Sequence, residues 1–99
     1  MTLLDRNILQ INNLCEKHQV DNLFVFGSIL TDRFNDESDI DFVVDFKDIE
    51  LSNYVNNYID FKDSLQNLLG RKIDLLEDKA IKNPILRRNI DRTKLQIYG

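Results

Sequence analysis

Residues 22–46, Asn-Leu-Phe-Val-Phe-Gly-Ser-Ile-Leu-Thr-Asp-Arg-Phe-Asn-Asp-Glu-Ser-Asp-Ile-Asp-Phe-Val-Val-Asp-Phe, decide how the rest of the chain is read. Residues 22–26 are a short apolar run of β-preferring side chains that stops at Gly27, the pattern of a buried strand. Ser28 to Thr31 are expected to open a short helix. Residues 32–38 are polar and turn-rich, so they read as a loop. Residues 39–46 resume a β-branched and aromatic pattern and read as a second strand.

The flanks extend this pattern. Upstream, Leu4, Ile8, Ile11 and Cys15 recur at helical spacing, which predicts a helix over residues 3–18 with Thr2 as its N-cap. Downstream, Tyr54, Tyr58, Phe61, Leu65 and Leu68 mark the apolar face of a helix over residues 52–69, closed by Gly70. Residues 72–76 read as a third strand. Asn83 and Pro84 form a cap and first turn for a helix reaching about Arg92. Residues 94–98 close the chain as a short strand or a docked tail. Strands alternating with helices predict one α/β (α+β) domain over residues 1–99, a small mixed sheet with helices mainly on one side.

Composition bounds the function. Hydrophobic residues make up 42% of the 99 and charged residues 30%, a globular balance. A chain this short builds a modest core, so a large substrate must bind an open face or a groove shared with another protein. The formal net charge of −4 lacks the basic excess of a stand-alone nucleic-acid binder. Cys15 is the single cysteine, which rules out an intramolecular disulfide and a multi-cysteine zinc site within the chain. No secretory leader pattern occurs at the start, and no apolar run approaches the roughly 20 residues needed to span a bilayer. The expectation is a cytoplasmic protein with neither membrane nor nucleic acid as partner.

Chemistry concentrates at two neighbouring positions. Successive strand side chains point to opposite faces, so Asp39 and Asp41 share one face and Ile40 and Phe42 the other. Two carboxylates this close repel unless a cation or water screens them. Magnesium takes oxygen ligands and keeps waters and phosphates in its shell, so an aspartate pair with open positions suits it. Asp74 alternates with Ile73 and Leu75; if its strand neighbours residues 39–46, it joins the same cluster. Three such ligands can hold two metals about 3.5–4 Å apart, the clamp used in phosphoryl transfer. Gly27 permits a tight turn and close approach to a ligand. Ser28, at a helix start, is placed to donate to a phosphate.

Gly27-Ser28, ten intervening residues and Asp39-Ile40-Asp41 resemble the signature of the polymerase-β-like nucleotidyltransferases. The flanks Phe24-Val25-Phe26, Phe42-Val43-Val44, Lys72-Ile73-Asp74-Leu75-Leu76, Asn83-Pro84-Ile85-Leu86 and Leu95-Gln96-Ile97-Tyr98 resemble its minimal nucleotidyltransferase branch, over nearly the whole chain. The resemblance implies a polymerase-β-like fold and magnesium-dependent transfer of AMP, or another nucleoside monophosphate, from ATP or a similar triphosphate to a protein hydroxyl. It further implies an antitoxin whose partner is a HEPN-domain ribonuclease toxin. Gly27 and Ser28 would then hold the triphosphate. Asp39 and Asp41 would bind two magnesium ions, and Asp74 would bind the catalytic one and serve as base.

One departure stands out. Relatives often carry a basic residue just after Gly-Ser, whereas residues 29–32 here are Ile-Leu-Thr-Asp, and Arg33 is the first cation. Arg33, Lys72 or a partner's basic group are the expected replacements. Rival functions are a nucleotide-binding antitoxin that acts by contact alone, a small-molecule nucleotidyltransferase and, least favoured by the acidic charge, a polymerase. Arg87, Arg88 and Arg92 give the last helix a basic face, readable as solvated charge or as a surface for phosphates or an acidic partner. His18 is expected at a helix end, Cys15 in the core, Asp45 at a solvated strand end, and Tyr54 and Tyr58 in core or interface positions.

Overall fold

The computed structural model describes residues 2–99, with side chains from Leu3 onward. Two helices, α1 (Thr2–Arg6) and α2 (Ile8–Lys17), lead into β1 (Val20–Phe26). A 3-10 turn (Gly27–Leu30) and a loop return the chain as β2 (Ile40–Phe46). The long helix α3 (Leu51–Leu69) connects to β3 (Ile73–Glu77), and α4 (Pro84–Thr93) precedes β4 (Leu95–Tyr98).

The four strands form one sheet in the order β3-β2-β1-β4. β1 pairs antiparallel with β2 and with β4, while β2 and β3 run parallel. A parallel neighbour requires a crossover, and the 19 residues of α3 supply it. Ile11 and Cys15 of α2, Phe61 and Leu65 of α3, and Leu23, Val25, Phe42 and Ile73 of the sheet form one buried cluster, each essentially without solvent contact. Burying each large apolar side chain contributes about 1.5–3 kcal/mol.

The opposite sheet face is more open. Val43 and Ile90 are buried, yet they lie outside the main cluster. Ile90 comes from α4, which shares a cavity with Phe26 and Gly27, so this helix covers part of the second face. Helices therefore lie on both sides, three on one and α4 on the other.

The expected caps on the later helices form. Gly70 adopts the left-handed conformation (φ 65°) that ends α3, and the Asn83 side chain accepts from the Ile85 and Leu86 N–H groups. The single helix expected over residues 3–18 is instead broken at Asn7, whose Nδ2 donates to the Leu3 carbonyl at 2.8 Å. That bond offers the backbone a local alternative to a continuous helix. The expected cap at Thr2 lies outside the described side chains. His18, expected only as a helix-end charge, is 2% exposed. Its Nδ1 faces the Leu14 carbonyl at 2.7 Å and its Nε2 faces Asp60 at 2.5 Å, so it ties α2 to α3. Among the described residues, no helix is long and apolar enough to cross a membrane.

Candidate active site

The parallel pairing of β2 with β3 places Asp41 directly beside Asp74. This is the adjacency on which a shared cluster depends. Neighbouring residues in the same two strands, Ile40 with Ile73 and Phe42 with Leu75, point into the main core. Asp41 and Asp74 therefore project from the opposite face. Asp39 lies one residue before β2, because pairing starts where the Ile40 N–H donates to the Lys72 carbonyl. Asp39 and Asp74 are exposed, and Asp41 is half-buried.

Burial raises the Asp41 pKa above the ordinary carboxylate value, and the charges of Asp74 and Asp39 raise it further. A poorly solvated carboxylate beside two like charges favours a nearby cation. The donors present are oxygen only and negatively charged, which fits a hard divalent ion. Among the described residues, no three His, Cys, Asp or Glu side chains are gathered closely enough to hold an ion by themselves. Waters and phosphate oxygens would complete such a shell, as magnesium ordinarily requires.

Gly27 meets this cluster from β1. Its φ is +81°, a region that side-chain-bearing residues avoid, and a Cβ there would overlap the Asp41 carboxylate. The positive φ favours glycine, and any side chain there would push the Asp41 carboxylate aside. Ser28 follows in a turn of four residues rather than in a helix of useful length, so a helix dipole at Ser28 drops out of the expectation. What remains for a ligand is backbone and hydroxyl close to Asp41.

Arg71 escaped the sequence reading. Its Nη1 donates to the carbonyls of Asn35 and Ser38, both at 2.8 Å, and its guanidinium lies 4.6 Å from the Phe34 ring centroid. One side chain two residues before β3 thus pins the loop that delivers Asp39. Arg87 is paired with Asp78, at 2.8 Å. Asp45, expected at a solvated strand end, is only 22% exposed and lies 3.5 Å from the Lys79 ammonium. Tyr58 donates to the Leu75 carbonyl at 2.5 Å, and Tyr54 donates to the Glu77 carboxylate, so both phenols are held against β3.

Two cavities open around Gly27. One, of about 450 Å³, separates it from α4; the other, of about 430 Å³, reaches Leu30 and Thr31.

The sequence profile of the Polymerase beta, Nucleotidyltransferase family matches residues 9–99. A provisionally named protein adenylyltransferase of Methanocaldococcus jannaschii is 34% identical over 84 residues, covering 85% of this chain and 83% of the relative. A solved structure of a provisionally assigned minimal nucleotidyltransferase superposes with TM-score 0.77 at 25% identity, covering 93% of this chain and 90% of that one. A chain from the complex of a tri-AMPylated Shewanella oneidensis HEPN toxin with its MNT antitoxin has the same fold, with TM-score 0.67 at 18% identity, covering 96% of this chain and 71% of that one. This chain belongs to the polymerase-β nucleotidyltransferase family.

Proposed function

We propose that residues 1–99 act as one domain that transfers AMP from ATP to a hydroxyl of a protein partner, and that the partner is a HEPN toxin neutralised by the modification. The observation that carries the reading is the Gly27–Asp41–Asp74 contact chain across three elements, flanked by Asp39. The name of the Methanocaldococcus relative and the AMPylated toxin in the Shewanella complex support the choice of reaction and acceptor.

In this account Asp39, Asp41 and Asp74 would hold magnesium, which when bound would supply positive charge to offset that of the triphosphate and the pyrophosphate leaving group. Gly27 lets the triphosphate approach the backbone, and the Ser28 hydroxyl donates to it. Asp74 is exposed, so an incoming hydroxyl can reach it and pass its proton to the carboxylate. The acceptor oxygen then bonds to the α-phosphorus as the bond to pyrophosphate breaks. Burial and loop anchoring do the positioning: Asp41 is fixed against Gly27, and Arg71 holds the loop leading to Asp39.

The test mixes the protein, its HEPN partner, ATP and magnesium, and follows the mass of each protein. A gain of one or more AMP units on the partner, absent with Asp41→Asn, is expected. Neutralisation without any mass gain, retained by Asp39→Asn, would replace this account with inhibition by contact alone.

A further inference from the structure

The family resemblance leaves one electrostatic gap: residues 29–32 provide no cation for the triphosphate. The fates of the basic side chains on and after α4 indicate where one comes from. Arg87 is committed to Asp78 at 2.8 Å, and Lys94 pairs with Asp91 at 2.9 Å while lying 4.4 Å over the Phe24 ring. Arg88 and Arg92 have no ion pair or hydrogen bond among the described residues, and only Arg92 of the two lines the cavity facing Gly27. Arg33 and Lys72 line neither cavity at Gly27.

The same cavity has the other attributes of a nucleoside site. Phe26, Leu86 and Ile90 give it apolar walls, and Asn89 adds an amide with no side-chain partner among the described residues. Its volume of about 450 Å³ lies in the range of small-molecule sites, which combine apolar lining with a few polar groups. Gly27 and Thr93 also line the neighbouring cavity, so the groove continues past Gly27, the residue against which Asp41 rests.

We infer that this groove seats the nucleoside triphosphate, with Arg92 as the cation that replaces the missing one and Asn89 as the group that reads the base edge. The inference rests on the nucleotidyl-transfer reading above. A guanidinium suits phosphate because it donates paired hydrogen bonds and stays charged. An amide that both donates and accepts suits the edge of a nucleobase.

The experiment titrates ATP with magnesium, and separately adenosine, into the full chain and its Arg92→Ala, Asn89→Ala, Arg88→Ala, Arg33→Ala and Lys72→Ala variants by calorimetry. Circular dichroism and melting curves accompany each variant; these residues are exposed, and their folds are expected to remain intact. Arg92→Ala should weaken ATP about tenfold or more while leaving adenosine unchanged. Asn89→Ala should weaken both ligands, and Arg88→Ala neither. Undiminished ATP affinity in Arg92→Ala, an equal loss in Arg88→Ala, or a loss confined to Arg33→Ala or Lys72→Ala would overturn the inference while leaving nucleotidyl transfer intact. Wild-type protein that neither binds ATP nor transfers AMP would overturn both.

Discussion

Alternate residues of β2 serve two different ends. Ile40, Phe42, Val44 and Phe46 enter the layer of α1–α3 and are at most 5% exposed. Asp41 and Asp45 project the other way, toward a face only partly covered by α4. The packed face gains stability from burial, and the open face gives some back. Because the Asp41 pKa is raised, the folded chain takes up that proton more readily than the unfolded chain does. Ionised Asp41 therefore costs stability near neutral pH, and a bound cation would recover it. Charges whose removal would leave the fold standing are better explained by function than by architecture.

The largest expected effect tests the open face. Asp41→Asn should lower AMP transfer at least about 100-fold, the scale of losing one group that stabilises developing charge. Its melting temperature without divalent cation should rise rather than fall. A lower melting point would show that Asp41 supports the fold. Asp74→Asn sharpens the point: transfer should fall comparably, while stability stays within about 0.5 kcal/mol, as at exposed positions generally. Denaturant titration measures the second part.

On the packed face the signs reverse. Phe61→Ala should cost about 3–5 kcal/mol, a large share of the stability of so small a domain. A cost below about 1 kcal/mol would contradict the single-core description. Gly27→Ala belongs to both faces. It should lose about 1–2 kcal/mol to left-handed strain alone, and it should also impair transfer by displacing Asp41.

The smallest effect lies in the helical layer. The His18 hydrogen bond holds the Asp60 carboxyl below its ordinary value. A depressed carboxyl pKa contributes stability that is present above the unfolded value of about 3.9 and is lost as pH falls through the folded value. Acid unfolding of Asp60→Asn should consequently be shallower over that interval than in the wild type. Identical acid profiles would show the pair to be energetically silent.

The legible parts of the molecule were those set by neighbours in sequence. Period-two alternation placed Asp41 opposite Phe42, and Gly70 and Asn83 announced helix boundaries through local backbone chemistry. Asp74 needed one further assumption, the neighbouring of its strand with β2, and the sheet satisfies it. What escaped depends on distant partners. Arg71 contacts a loop carbonyl 33 positions away, and His18 meets Asp60 across 42 positions. Periodicity has no access to such pairs. Gln19, with φ 57°, occupies a left-handed turn that its residue type does not advertise. The side taken by α4 also escaped, because the sheet face that its buried residue, Ile90, packs against is set by strands distant in sequence.

The central claim is that the open-face aspartates are arranged to hold divalent cations with a nucleotide. The direct measurement is Mn²⁺ binding by electron paramagnetic resonance, with a non-hydrolysable ATP analogue present, in the wild type and in the Asp39→Asn, Asp41→Asn double variant. Mn²⁺ shares the oxygen-rich octahedral preference of magnesium and reports its own bound fraction. The account predicts saturable binding in the wild type that weakens at least about tenfold in the double variant. Equal binding in the two proteins would contradict it.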